Sequence, residues 1–160
     1  MAKNPTPVFS NILDRPMSET KQPTPMPTGE YGWAVLGLPE EGVSARKQTP
    51  QLEFTFKCLG PIGDTVDTDK LNAWLTNGDG TKTKITDITH KHVFYKTEKS
   101  LYRLKKFMKI LGFDVESQAS YTQTLPETPG REFIGNIKHR LSEDNETRFA
   151  YIDSFAQFED

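Results

Sequence analysis

From residue 29 onward, apolar and polar positions alternate in short runs, the two-residue period of extended strands with one buried face. The cleanest run is QLEFTFKCL (51–59), with Leu52, Phe54, Phe56 and Cys58 on one face and Glu53, Thr55 and Lys57 on the other. Gly60, Pro61 and Gly63 stop it. GEYGWAVLGL (29–38) is rich in aromatic and apolar residues on both faces and predicts an earlier strand, closed by Pro39 and followed by a polar loop over 39–50. A third strand is predicted within 85–96. REFIGNIKHRL (131–141) and ETRFAYIDSF (146–155), joined by the polar turn Ser142 to Asn145, predict a hairpin.

Two segments change to helical spacing. Residues 66–76 predict a short helix, with Thr68 as N-cap and Leu71, Trp74 and Leu75 on one side; NGDG (77–80) then supplies turn chemistry. The clearest element is TEKSLYRLKKFMKILG (97–112), where Leu101, Leu104, Phe107, Met108 and Leu111 recur on one side. Thr97 caps its start and Gly112 provides the left-handed stop. A Ser/Thr/Pro-rich loop (117–130) leads on to the hairpin. The predicted order is three strands, a helix and two strands, the order of a five-stranded oligonucleotide/oligosaccharide-binding (OB) barrel. The predicted fold is therefore mainly β with one main helix.

Composition sharpens this picture. The chain has 160 residues, so it has room for one core and a tail. Mean hydropathy is −0.64, polar for a globular protein, but 10 Phe, 5 Tyr and 2 Trp give it a ring-rich core. Six of the 11 prolines fall in the first 28 residues, so 1–28 reads as an extended arm or linker. Within it, Val8, Phe9, Ile12 and Leu13 form an apolar patch able to dock on the domain or on a second subunit. The domain then spans 29–156 and a short acidic tail 157–160. The single cysteine excludes a disulfide framework or a Cys-rich zinc module. With no membrane-length apolar run and no signal-peptide core, the expectation is a soluble, cytoplasmic protein without membrane contact.

In element order and local flavour the chain resembles a known family. The stretch runs from about Pro25 to Phe155 and carries PTGEY (27–31), LEFTF (52–56), the helix ending in LG, and GREFIGNIK (130–138). It is similar to small phage-encoded proteins that accompany recombinases and helicases, several of them OB-fold single-stranded-DNA-binding proteins. The resemblance implies sequence-tolerant binding of single-stranded DNA in phage replication, recombination or repair, in the host cytoplasm, without catalysis or cofactor. Such binders often end in an acidic, aromatic tip that recruits phage or host replication proteins; here DSFAQFED (153–160) is the counterpart.

A single-strand binder needs cations for phosphates and exposed rings for bases. Twenty basic against 22 acidic residues, a formal net charge of −2, exclude a polycation but allow a local basic face. The candidates are Arg46 and Lys47 in the first long loop, Lys57 on the second strand, and Lys91, Tyr95 and Lys96 on the third. Lys138, Arg140 and Tyr151 join them from the hairpin, beside Arg148 and Phe149. Trp33 is either a stacking platform or core. The helix carries Lys99, Arg103, Lys105, Lys106 and Lys109 against Glu98 alone, which is either a second phosphate surface or the solvated face of an amphipathic helix.

Catalytic patterns fall short. His90 and His92 in THKH share a strand face, but a third ligand would have to come from the distant His139, Asp87 or Cys58. Asp64, Asp67 and Asp69 lack the glycine and closing glutamate of a calcium loop. NGDG has no Walker lysine, Glu53 and Lys57 have the wrong spacing for a nuclease pair, and no nucleophile elbow is present. Cys58 falls on an apolar face. The expectation is a binding protein, not an enzyme; the arm and exposed strand edges allow a homodimer. The alternative is a small β-rich viral structural or adaptor protein whose partner is a protein.

Overall fold

The structure, a computed structural model, describes residues 11–14, 16–20 and 24–158. Strands β1 (Gly29–Val35), β2 (Glu40–Val43) and β3 (Pro50–Pro61) are followed by helix α1 (Thr68–Leu75) and strand β4 (Thr89–Tyr95). Helices α2 (Glu98–Ile110) and α3 (Tyr121–Thr124) and strands β5 (Glu132–Leu141) and β6 (Arg148–Gln157) complete the order. The protein is mainly β: one antiparallel sheet of six strands, ordered β2-β3-β1-β5-β6, with β4 on the other edge of β3.

The ring-rich strands make the core as their period requires. Leu52, Phe54, Phe56 and Cys58 of β3 are buried, as are Tyr31, Trp33 and Val35 of β1 and Phe133 and Ile137 of β5. Helix α2 starts where Thr97 accepts from the Ser100 backbone N–H and ends before Gly112, whose φ of +98° only glycine adopts freely. Its stripe delivers Leu104, Phe107 and Met108 to the core. Phe107 packs between the strands, its ring centroid 5.3 Å from Phe94, 5.2 Å from Phe133 and 4.9 Å from Phe155.

The sheet curls but does not close, which corrects the expected closed five-stranded barrel. Strand β4 pairs only with β3, and β6 only with β5. The rings of His92 and Phe155 still approach to 5.1 Å, so the two outer strands face each other across a seam. Strand direction gives a reason. β4 and β1 both run opposite to β3, and β1 and β6 both run opposite to β5, so β4 and β6 run the same way and cannot extend the antiparallel pattern.

Smaller differences follow from local chemistry. Residues 40–43, expected within a loop, form β2; all four are exposed, so no burial pattern announces the strand, which exists through backbone pairing with Pro50–Glu53. The first strand ends at Val35 and the fourth begins at Thr89, after a 3-10 turn at Ile85–Asp87. Asp67 rather than Thr68 caps α1, its carboxylate accepting from the N–H groups of Asp69 and Lys70. In the loop 117–130, a Ser120–Gln123 capping box starts α3.

The last proline-rich residues dock on the domain. Trp74 Nε1 donates to Thr24 O at 2.8 Å, Tyr31 OH donates to Pro27 O at 2.8 Å, His139 Nε2 lies 2.6 Å from Met26 O, and the Met26 side chain is buried. Of the predicted apolar patch, Val8 and Phe9 and the Ile12 side chain lie outside the described residues, and Leu13 is exposed. At the other end β6 runs to Gln157, so residues 153–157 of the expected acidic, aromatic tip are strand. Phe155 joins the ring cluster and Phe158 packs over Gly32; residues 159–160 are outside the described residues.

Candidate nucleic-acid interface

The open seam between β4 and β6, with α2 beside it, is a cleft of about 880 Å³. Period two sorts its walls. His90, His92 and Phe94 sit opposite Phe56, Phe54 and Leu52 and so share the inward face, whereas Lys91, Val93 and Tyr95 share the outward face. On the hairpin, Ile152 sits opposite the buried Ile137, while Arg140 and Lys138 sit opposite Phe149 and Tyr151 on the outer face. Arg103 and Lys106 come from the solvent side of α2.

Charge distinguishes this cleft. Lys91, Arg103, Lys106 and Arg140 line it, against one lining carboxylate, Asp153. Asp153 is engaged, 3.1 Å from Lys138 Nζ and accepting from Tyr151 OH at 3.4 Å. Lys91 lies 3.6 Å from Glu53. Among the described residues no carboxylate pairs with Arg103, Lys106 or Arg140. The Arg140 guanidinium stacks 4.8 Å from the Phe149 ring and 5.2 Å from the Tyr151 ring, and Lys106 lies 5.8 Å from the Tyr102 ring. Rings thus lie beside Arg140 on the hairpin wall and beside Lys106 on α2.

The histidines add no charge at neutral pH. Burial, with smaller contributions from His90 and Arg103, pushes His92 down to about 4, and burial lowers His90 too. They act as aromatic floor: His90 lies 6.0 Å from Trp33 and His92 lies 4.9 Å from Phe94. No group of three or more His, Cys, Asp or Glu side chains suited to a metal occurs among the described residues. His139 is turned to the Met26 carbonyl, and burial pushes the Cys58 thiol up to about 11.

Of the ten candidate residues, Lys91, Tyr95, Arg140 and Tyr151 line the cleft. The other six are not gathered with them. Trp33 is fully buried, its Nε1 donating to Gly135 O at 3.4 Å, so it is core and not a stacking platform. Lys57 lies on the outward face of β3, opposite Thr89. Lys96 pairs with Glu41 at 3.2 Å and Lys138 with Asp153. Arg46 reaches Glu143 at 3.6 Å, tying the β2–β3 loop to the β5–β6 turn, and Lys47 is exposed beside it. A channel through all ten therefore does not form. Arg103 and Lys106 belong to the site instead. Their signal was the one-sided excess of cations on α2, which the sequence left open between a solvated face and a binding face.

Among the described residues no helix is long and apolar enough to cross a membrane. Neither a protein-family model nor a curated protein matches the chain.

Proposed function

We propose that the protein binds single-stranded DNA along the β4–α2–β6 cleft, without catalysis and without preference for sequence. One observation carries this reading: in a chain of net charge −2, the β4–α2–β6 cleft concentrates four cations against one engaged carboxylate, with the Phe149 and Tyr151 rings beside Arg140. Phosphates supply the counter-charge and bases the stacking partner. The cyclic order β4-β3-β1-β5-β6, with α2 between β4 and β5, is that of a five-stranded barrel opened at one junction. We therefore read the fold as an OB-type barrel left open at its β4–β6 seam. In such folds the loops after the first strand and between the last two flank the ligand. Here those loops meet at the Arg46–Glu143 pair and none of their residues lines the cleft, so the proposed path follows the seam and not the loops. The resemblance to phage replication-module proteins supports the same ligand class and a role in phage DNA replication, recombination or repair.

The test is a fluorescence titration with labelled oligo-dT over a range of salt. If Arg103, Lys106 and Arg140 each neutralise one phosphate, log affinity falls against log salt with a slope of about −2, since single strands give about 0.7 per phosphate. A flat response, or no binding at low salt, rejects the reading in favour of a protein-binding adaptor.

A further inference from the structure

We infer that the β4–β6 seam accepts an extended peptide of alternating acidic and small apolar residues, inserted as a strand antiparallel to both edges. The unpaired backbone groups of the two edges point to this occupant. Cys58 N–H donates to Ile88 O and Lys96 N–H donates to Pro50 O, so the even-numbered residues of β4 turn their backbone groups to β3. Thr89, Lys91, Val93 and Tyr95 turn theirs to the seam. Ser142 N–H donates to Thr147 O, so Arg148, Ala150 and Ile152 of β6 likewise face away from β5. Among the described residues no hydrogen bond engages these groups. Two edges, each with donors and carbonyl acceptors in alternation, call for a polypeptide backbone.

Direction and side chains narrow the occupant further. Because β4 and β6 run the same way, one inserted strand is antiparallel to both and completes a continuous antiparallel cycle. The floor beneath is apolar and already filled, with His92 and Phe155 at 5.1 Å and Phe94 and Phe155 at 6.2 Å. Inward positions of the peptide therefore take small apolar side chains. Outward positions meet Lys91 and Arg140, with Arg103 and Lys106 at the helix side, and take carboxylates. This inference does not depend on nucleic-acid binding.

The experiment uses the full chain and an end-blocked heptapeptide alternating Glu and Val, followed by amide hydrogen exchange resolved by residue. Exchange at Lys91, Val93, Tyr95, Ala150 and Ile152 slows by roughly tenfold or more at saturation, on both edges together. The Lys/Val counterpart of the peptide gives no slowing. Val93→Pro removes one seam-facing donor while leaving the β3 pairing, a position where an edge strand tolerates proline. It weakens peptide binding by about tenfold or more with its urea midpoint held. Slowing on one edge only, slowing by both peptides, or unchanged binding by Val93→Pro overturns the inference. So does seam protection already present in a free dimer, which would assign the seam to a second copy of the chain.

Discussion

A Cβ added at Gly135 would lie 2.9 Å from both Cδ1 and Nε1 of Trp33 and 3.1 Å from Ile152 Cγ2, so the indole occupies the space a side chain would need. Gly135→Ala must push the buried Trp33 aside, at a cost of about 1–3 kcal/mol in overpacking. Urea unfolding reads this as a lower midpoint with an unchanged slope. His92 makes a second residue-scale prediction. Its folded imidazole is pushed from 6.5 down to about 4, so between those values the unfolded chain binds the proton more readily. Stability from this group is whole above pH 6.5 and is lost as pH falls towards 4. His92→Phe, which keeps a ring among Phe56, Phe94 and Phe155, should flatten that part of the urea-midpoint profile. An unchanged profile would show that His92 is not held neutral by burial.

The α2 helix performs two tasks with opposite faces. Its apolar stripe places Phe107 within 5.6 Å, centroid to centroid, of the rings of Phe54, Phe56, Phe94, Phe133 and Phe155. Phe107→Ala should cost about 3–5 kcal/mol, because the rigid rings around it cannot close the cavity. Tyr102→Ala, on the exposed face, should stay within about 0.5 kcal/mol in the same urea assay. The polar face brings Arg103 and Lys106 to the cleft. The helix itself was legible in residues 97–112, because cap, stripe and glycine stop all agree. Its role was not, since the same cations decorate any amphipathic helix in water.

For the molecule as a whole, distribution of charge matters more than its sum. Some cations outside the cleft meet carboxylates, as in Lys96–Glu41, Lys105–Glu116 and Arg46–Glu143, and the cleft itself gathers four cations against one lining carboxylate. Replacing Arg103 and Lys106 together with Gln should therefore weaken oligo-dT binding and reduce the magnitude of the salt slope by about 1.4, two phosphates' worth. Replacing Arg46 and Lys47 with Gln should leave the slope unchanged. Equal effects from the two pairs would place the DNA along the loops instead of the cleft. Residues 24–27 form part of the same body, since their carbonyls satisfy Trp74, Tyr31 and His139.

The sequence by itself determined the elements whose burial repeats along the chain: the β3 alternation, the α2 stripe, the hairpin of β5 and β6, and a core of rings. Period and capping are local, so residues a few positions apart suffice to read them. Tertiary structure alone decided the rest. It revealed β2, which has no buried face, and it sent Trp33 inward from a strand apolar on both sides. It set the β4–β6 seam as well, because strand direction summed around the curled sheet, together with Phe107 packed between the walls, is a property of five strands and a helix at once. Only that arrangement selects, from cations scattered over the whole chain, the four that face one cleft.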